Sequence, residues 1–249
     1  MKHFLIALQF LTIFPINING ELREEDFGKS LTYFPVVGAI IGLVLVLSLF
    51  TLRFLPIQVE SALILIISIF IYGGMHLDGF ADTCDGFYGD KELSKILEIM
   101  RDSHVGAMGV IGIVCLIILK YSLFTVLLPF ENFWKIIFLM AVFSKFMQVA
   151  ACYKTNYPRK EGKAKYFVGK TTYKQLVFGL IFTVGLFTVL LKINGILIFI
   201  LSAVTILFIV NWFKRKIGGM TGDTIGAASE ISEVIVLLFS LVLVLFKDF

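Results

Sequence analysis

The densest group of residues able to do chemistry is HLDGFADTCDGFYGD, residues 76–90. Asp78, Asp82 and Asp85 fall at i, i+4 and i+7. On a helix that turns about 100° per residue, these three share one face. Carboxylates so arranged repel one another, more strongly where the dielectric is low, as at a membrane surface. A divalent cation relieves that repulsion. Oxygen donors without thiolates favour Mg²⁺ or Mn²⁺, and Mg²⁺ keeps positions open for phosphate oxygens, so a diphosphate is the matching substrate. Gly79 and Gly86 leave room for a bulky ligand. Asp90 follows Gly89, where the helix is expected to break, and is within reach of the same site. No basic residue occurs between Arg53 and Lys91, so the acidic run is not a mixed solvated surface. His76 sits on the opposite flank of this helix and is either a proton acceptor or a polar anchor at the interface.

A second acidic stretch reads IGGMTGDTIGAASEISE, residues 217–233. Asp223 and Glu230 are i, i+7, and Glu233 follows three residues later. Acidic residues entering an apolar span are functional candidates because burying them is costly. They either hold metal or bind cationic or hydroxyl groups of a substrate, while Asp223 has a helix cap as its alternative. Gly219, Gly222 and Gly226 permit close approach of backbone or ligand. Arg101 is a candidate phosphate ligand, and Arg159, in Pro158-Arg159-Lys160-Glu161-Gly162, looks placed rather than merely one of the basic loop's charges. Arg101 has a plain interface cation as its alternative. Lys145 either snorkels to the surface or faces the acidic site.

The elements that position these residues are membrane spans. Hydrophobic residues make up 58% of the 249, charged residues 16%, and mean hydropathy is +0.93. That composition excludes a disordered chain, a secreted disulfide scaffold and a basic nucleic-acid-binding domain. Runs long enough to cross a bilayer are expected at 34–54, 59–75, 105–128, 133–151, 175–191, 195–212 and 231–246. The expectation is an all-α polytopic bundle of about seven spans in one domain, 1–249. The first 14 residues are too short to cross and read as an interfacial helix rather than a cleaved signal peptide. Sixteen Lys and Arg residues fall on the side bearing the motifs. Three, Arg53, Lys192 and Lys247, fall on the other. The motif side is therefore expected to be cytoplasmic, and the net charge of +4 needs no nucleic-acid partner. The loop 152–174, with seven basic residues and one acid, reads as the positive-inside loop and could draw polyanionic substrates or anionic lipid headgroups. Cys84, Cys115 and Cys152 have no metal-binding spacing and are expected as free thiols.

HLDGFADTCDG followed by RDSHVGAMG resembles the signature of the cobalamin synthase family, the adenosylcobinamide-GDP ribazoletransferases. The likeness extends through FLTIFPI (10–16), SLTYFPVVGAIIG (30–42), YPRKEG (157–162) and GGMTGDTIGA (218–227) with Glu230 behind it. Lys145 departs from it, since Arg is expected there and Lys lacks the bidentate phosphate contact. The resemblance implies an Mg²⁺-dependent integral membrane enzyme. Its substrates would be adenosylcobinamide-GDP and α-ribazole or α-ribazole 5′-phosphate, and its products adenosylcobalamin or the 5′-phosphate, plus GMP. Metal would be held by Asp78, Asp82 and Asp85, and Asp223 and Glu230 would complete the metal site or bind α-ribazole. Asp82, Asp85 or His76 would take the proton. Arg101, Arg159, Asp90 and Lys145 would bind substrate in an open cavity facing the cytoplasm. Other enzymes of the nucleotide loop are possible partners, and oligomerisation stays open.

Two other classes fit less well. CDP-alcohol phosphatidyltransferases carry D-G-x-x-A-R, whereas here Gly79-Phe80-Ala81 is followed by Asp82 and no arginine is near. A divalent-cation or corrinoid transporter would be expected to carry polar residues at its span centres and an inverted repeat.

Overall fold

A computed structural model describes residues 1–18 and 20–245. The 231–246 span end and Lys247 therefore fall partly or wholly outside the described residues. The architecture is all-α. Among the described residues the only β pairing is an isolated bridge between Tyr153 and Thr171. The helices are α1 (Lys2–Leu11), α2 (Glu24–Ser30), α3 (Phe34–Leu52), α4 (Ile57–Ile71), α5 (Met75–Phe87), α6 (Leu93–Ile99), α7 (Ala107–Leu127), α8 (Phe133–Cys152), α9 (Tyr173–Ile217) and α10 (Gly222–Leu245). Short 3-10 turns occupy Leu31–Tyr33 and Lys163–Tyr166.

By length and apolarity, five of the described helical stretches can cross a membrane, or six if the bent pair α4–α5 counts as one, where about seven were expected. The difference lies in α9. At Lys192 φ is +54°, outside helical values. Phe187 and Phe199 lie with ring centroids 5.7 Å apart. Twelve residues of straight helix would separate them by about 18 Å, so the chain doubles back at Lys192. Both rings also pack on Phe143 of α8. The reversal falls between the expected spans 175–191 and 195–212. α9 starts at a capping box, in which the Thr172 hydroxyl accepts from Gln175 N and the Gln175 side chain accepts from Thr172 N.

α8 is the central helix. Of its apolar window 89% is buried, against 28% for α7. It packs against α3, α9 and α10. Outward-facing apolar side chains such as Leu47, Phe50, Ile118, Val204 and Phe208 remain exposed, as lipid-facing residues do. α1 is ten residues long, too short to cross, and buries Ile6, Ala7 and Leu11.

Two features set up the site. Gly73 and Gly74 are both left-handed, with φ +62° and +69°, and turn α5 by 88° away from α4. α5 then runs across the end of the bundle and crosses α10 at very close range. A Cβ on Gly79 would lie 2.7 Å from the Asp223 Cα, and one on Gly226 would lie 3.1 Å from the His76 Cα. One glycine from each helix makes that approach possible. The connecting segments gather at the same end. Met220 N donates to Asn156 O, Lys214 Nζ to Tyr153 O, and Arg159 Nη2 to Met100 O.

Candidate active site

A cavity of about 210 Å³ opens where α5, α8, α10 and the 153–172 segment meet. Its polar wall is His76, Asp78, Gln148, Tyr157, Arg159, Lys163 and Asp223, and its apolar wall includes Phe10, Phe34 and Phe167. Phe167 is locked among the others, with its ring 4.4 Å from Phe10 and 5.9 Å from Phe34. Ligand pockets for drug-sized molecules are about 300–1,000 Å³. This cavity therefore encloses one end of a ligand and not the whole of a large one, where a more open chamber was expected.

The α5–α10 crossing brings together residues 145 positions apart in sequence, Asp78 and Asp223. The negative charges of Asp223, Asp78 and Asp85 all bear on half-buried Asp82, with Arg159 opposing them. Asp223 is not a cap. Thr221 and Thr224 cap the start of α10 reciprocally, at 2.9 and 3.2 Å, which leaves Asp223 to pair with Arg159 at 2.7 Å. The Arg159 side chain is 10% exposed, and its Nε is buried without a hydrogen-bond partner among the described residues. A buried donor left unfilled is costly, and a guanidinium of this kind fits a phosphate oxygen. Asp78 and Asp82 take part in no ion pair among the described residues. Tyr157 donates to Glu161 O, and burial pushes its phenol up from the ordinary value.

Several expected site residues are elsewhere. Asp85 accepts from Gly106 N at 2.7 Å and Gly109 N at 2.8 Å, so both its oxygens serve the N-terminus of α7. Glu230 is drawn into the bundle, 2.5 Å from Lys120, and Glu233 lies 2.7 Å from the same amine. Tyr72 donates to Glu233 at 2.8 Å. Lys145 does not snorkel. It is fully buried, 3.0 Å from Ser229 Oγ, 3.3 Å from His76 Nδ1 and 3.9 Å from the Tyr72 ring centroid. His76 Nε2 meets Gln148 Nε2 at 2.9 Å. Both ring nitrogens are thus engaged by protein, which argues against His76 as the proton acceptor. Asp90 is exposed in the turn after α5 and does not line the cavity. Arg101 is exposed and donates to Glu161 O, on the rim beside Arg159.

Among the described residues, no three His, Cys, Asp or Glu side chains converge closely enough to hold a metal by themselves. Of the five expected ligands, Asp85 and Glu230 are engaged elsewhere, which leaves Asp78, Asp82 and Asp223 near one another. Their all-oxygen chemistry fits Mg²⁺, which binds through one or two carboxylates when substrate phosphates supply further ligands.

Sequence reasoning missed Gln148, Tyr157, Tyr72 and the Lys120 cluster. Only Lys120 carried a signal, as a charge in mid-span. The thiols Cys84, Cys115 and Cys152 are free, as expected.

The family model for cobalamin-5-phosphate synthase matches residues 3–241. The chain is 35% identical over 239 residues to the adenosylcobinamide-GDP ribazoletransferase of Clostridium acetobutylicum, covering 95% of this chain and 94% of that one. It is 35% identical over 240 residues to the protein of the same name from Geotalea daltonii, covering 96% of each. Against that of Clostridium novyi it is 38% identical over 256 residues, covering 99% of this chain and 98% of the other. No solved structure matches. Separated motifs in order and a match across nearly the whole length lead to one conclusion: the chain belongs to the cobalamin-5-phosphate synthase family, enzymes of cobalamin synthesis.

Proposed function

We propose that this chain is an Mg²⁺-dependent transferase that joins adenosylcobinamide-GDP to α-ribazole, or to α-ribazole 5′-phosphate, and releases GMP. The observation that carries the reading is the Arg159 Nε, buried and unfilled, in a cavity it shares with the unpaired carboxylate Asp78, with Asp82 one helical turn further along α5. A guanidinium with a vacant donor near two free carboxylates suits a diphosphate that brings its own cation. Bound there, Mg²⁺ neutralises diphosphate charge.

The chain's residues divide the remaining work. Asp78 and Asp82 would hold the Mg²⁺. Arg159 donates to a phosphate oxygen and is kept aimed by Asp223 and the Met100 carbonyl, both at its Nη2. A ribazole hydroxyl attacks the phosphorus that stays on cobinamide, and the bond from that phosphorus to the GMP oxygen breaks. Asp82 accepts the hydroxyl proton, because His76 has no free nitrogen. The aromatic wall of Phe10, Phe34 and Phe167 excludes water from the reacting end. The bulky corrinoid stays outside the cavity. Phosphoryl transfer of this kind relies on positioning and charge neutralisation more than on covalent help from protein. The excess of Lys and Arg on the site face supports a cytoplasmic-membrane protein whose site faces the cytoplasm.

The test uses purified protein in nanodiscs with adenosylcobinamide-GDP, α-ribazole and Mg²⁺, following GMP and cobalamin by chromatography. Matched product formation that EDTA abolishes is the expected result. Product formation that EDTA leaves intact sinks the metal part. No product from α-ribazole or its 5′-phosphate, with protein shown to be folded, sinks the transferase reading.

A further inference from the structure

A second and larger cavity, about 830 Å³, lies on the other side of the Lys163–Tyr166 turn. The turn divides the two. Lys163 and Ala164 face the carboxylate cavity, while Lys165 and Tyr166 face this one. The volume falls within the range for small-molecule sites. Its walls come from His3 of α1, α2 with the preceding Arg23, the Leu31–Tyr33 turn, the 165–172 segment and the start of α9. They are fastened together: Gln175 Nε2 donates to Gly28 O at 2.9 Å and approaches Thr32 Oγ1 at 3.1 Å. A Cβ on Gly28 would already sit 3.0 Å from the Lys170 Cβ.

The charges lining it are not balanced. Asp26, behind the wall, is taken by Lys2 and His3, and Glu25 by Lys29. Arg23, Lys165 and Lys170 line the cavity and are in no ion pair among the described residues, and Glu24 is the one acid left against them. Tyr33 and Tyr166 add aromatic surface, each fixed by a neighbouring ring, Phe4 at 6.0 Å and Phe27 at 5.6 Å. None of this is used by the chemistry proposed for the first cavity. Three free cations and two held tyrosines around one hollow match a phosphate ester carrying an organic group.

We propose that this cavity is a binding site for a phosphate ester, separate from the carboxylate cavity, with Arg23, Lys165 and Lys170 supplying the positive charge. The ester is either a free one, such as a nucleoside 5′-phosphate, or the headgroup of an anionic lipid. The site is read by binding, so it stands or falls apart from the transfer reaction.

Full-length protein in phosphatidylcholine nanodiscs would be titrated calorimetrically with α-ribazole 5′-phosphate and with α-ribazole. In parallel, nanodiscs containing phosphatidylglycerol would be compared by the lipid the protein retains in native mass spectrometry. The variants are Lys165→Gln with Lys170→Gln, Arg23→Gln, and Arg159→Gln. All three cations of the proposed site are exposed, so their replacement leaves the fold intact. If the ester is free, the wild type prefers the phosphorylated nucleoside. The double variant then loses about tenfold of that preference, as removal of a charge-assisted contact does. If it is a headgroup, the double variant loses the retained phosphatidylglycerol instead. Unchanged binding in both arms overturns the proposal. So does a preference removed by Arg159→Gln and left whole by the double variant, since the phosphate would then lie in the carboxylate cavity.

Discussion

The molecule has two groups of acidic residues on the same pair of interacting regions, and they are treated in opposite ways. Glu230 and Glu233 lie within the bundle, at 5% and 1% exposure, and share the Lys120 amine. Tyr72 and Ser144 add hydrogen bonds to Glu233. Asp78 and Asp82, at the end of the bundle, have no such partners, and Asp78 borders a cavity. A buried charge is tolerated when it is paired, and pairing leaves it little capacity for anything else. An acidic residue left unpaired at a cavity wall retains that capacity. The contrast also bears on the transporter alternative. The charges at the bundle centre are bonded to one another, and neither Lys120 nor the two glutamates line the carboxylate cavity.

That comparison can be broken or sharpened by substitution. The largest expected effect is from Asp82→Asn: kcat falls about a thousandfold, the scale of a lost proton acceptor, while the melting temperature in detergent holds. Near-normal turnover would remove Asp82 from the chemistry. Next comes Lys120→Met, which strands two carboxylates in the bundle and costs about 3–5 kcal/mol of stability. Denaturation of the variant in nanodiscs measures it. Combining Lys120→Met with Glu230→Gln and Glu233→Gln should restore most of that loss. A triple variant that is stable and inactive would show that the inner group serves catalysis, and the contrast drawn above would fail. Arg159→Lys should raise the KM for adenosylcobinamide-GDP about tenfold, because an ammonium does not reproduce both guanidinium contacts. Asp85→Ala removes two bonds to the start of α7, with an expected loss of about 1–2 kcal/mol. Asp90→Asn, on the exposed turn, should leave kcat/KM within about twofold, since surface changes away from a site are close to neutral.

Much of this arrangement was legible in the residues. The i, i+4, i+7 spacing put three aspartates on one helix face, and α5 is a helix over that stretch. Spacing, however, says nothing about which neighbour arrives. Asp85 meets the backbone of α7, and its oxygens are filled there. Glu230 and Asp223 share a helix face in α10, but two turns of helix separate them by about 10 Å, enough to put one at the cavity and the other in the bundle. Lys145 was open to two readings, and burial among Ser229, His76 and Tyr72 excludes snorkelling. The reversal at Lys192 fell where the hydropathy dipped. The bend after α4 followed from Gly73-Gly74 only once both residues were seen to be left-handed.

α10 leaves the ribosome after every other described helix, yet it carries both buried glutamates and the Asp223 that meets the α5 aspartates. During synthesis, Asp78 and Asp82 stay without Asp223 until α10 has emerged. Glu230 and Glu233 can enter the lipid phase at acceptable cost only when the α7 amine is already there to receive them. The closing step of insertion therefore has a built-in order: α7 first, then the acidic helix that docks on it. The end of the bundle that gathers these residues comes together only when α10 docks, so a chain stalled before that helix lacks Asp223 there.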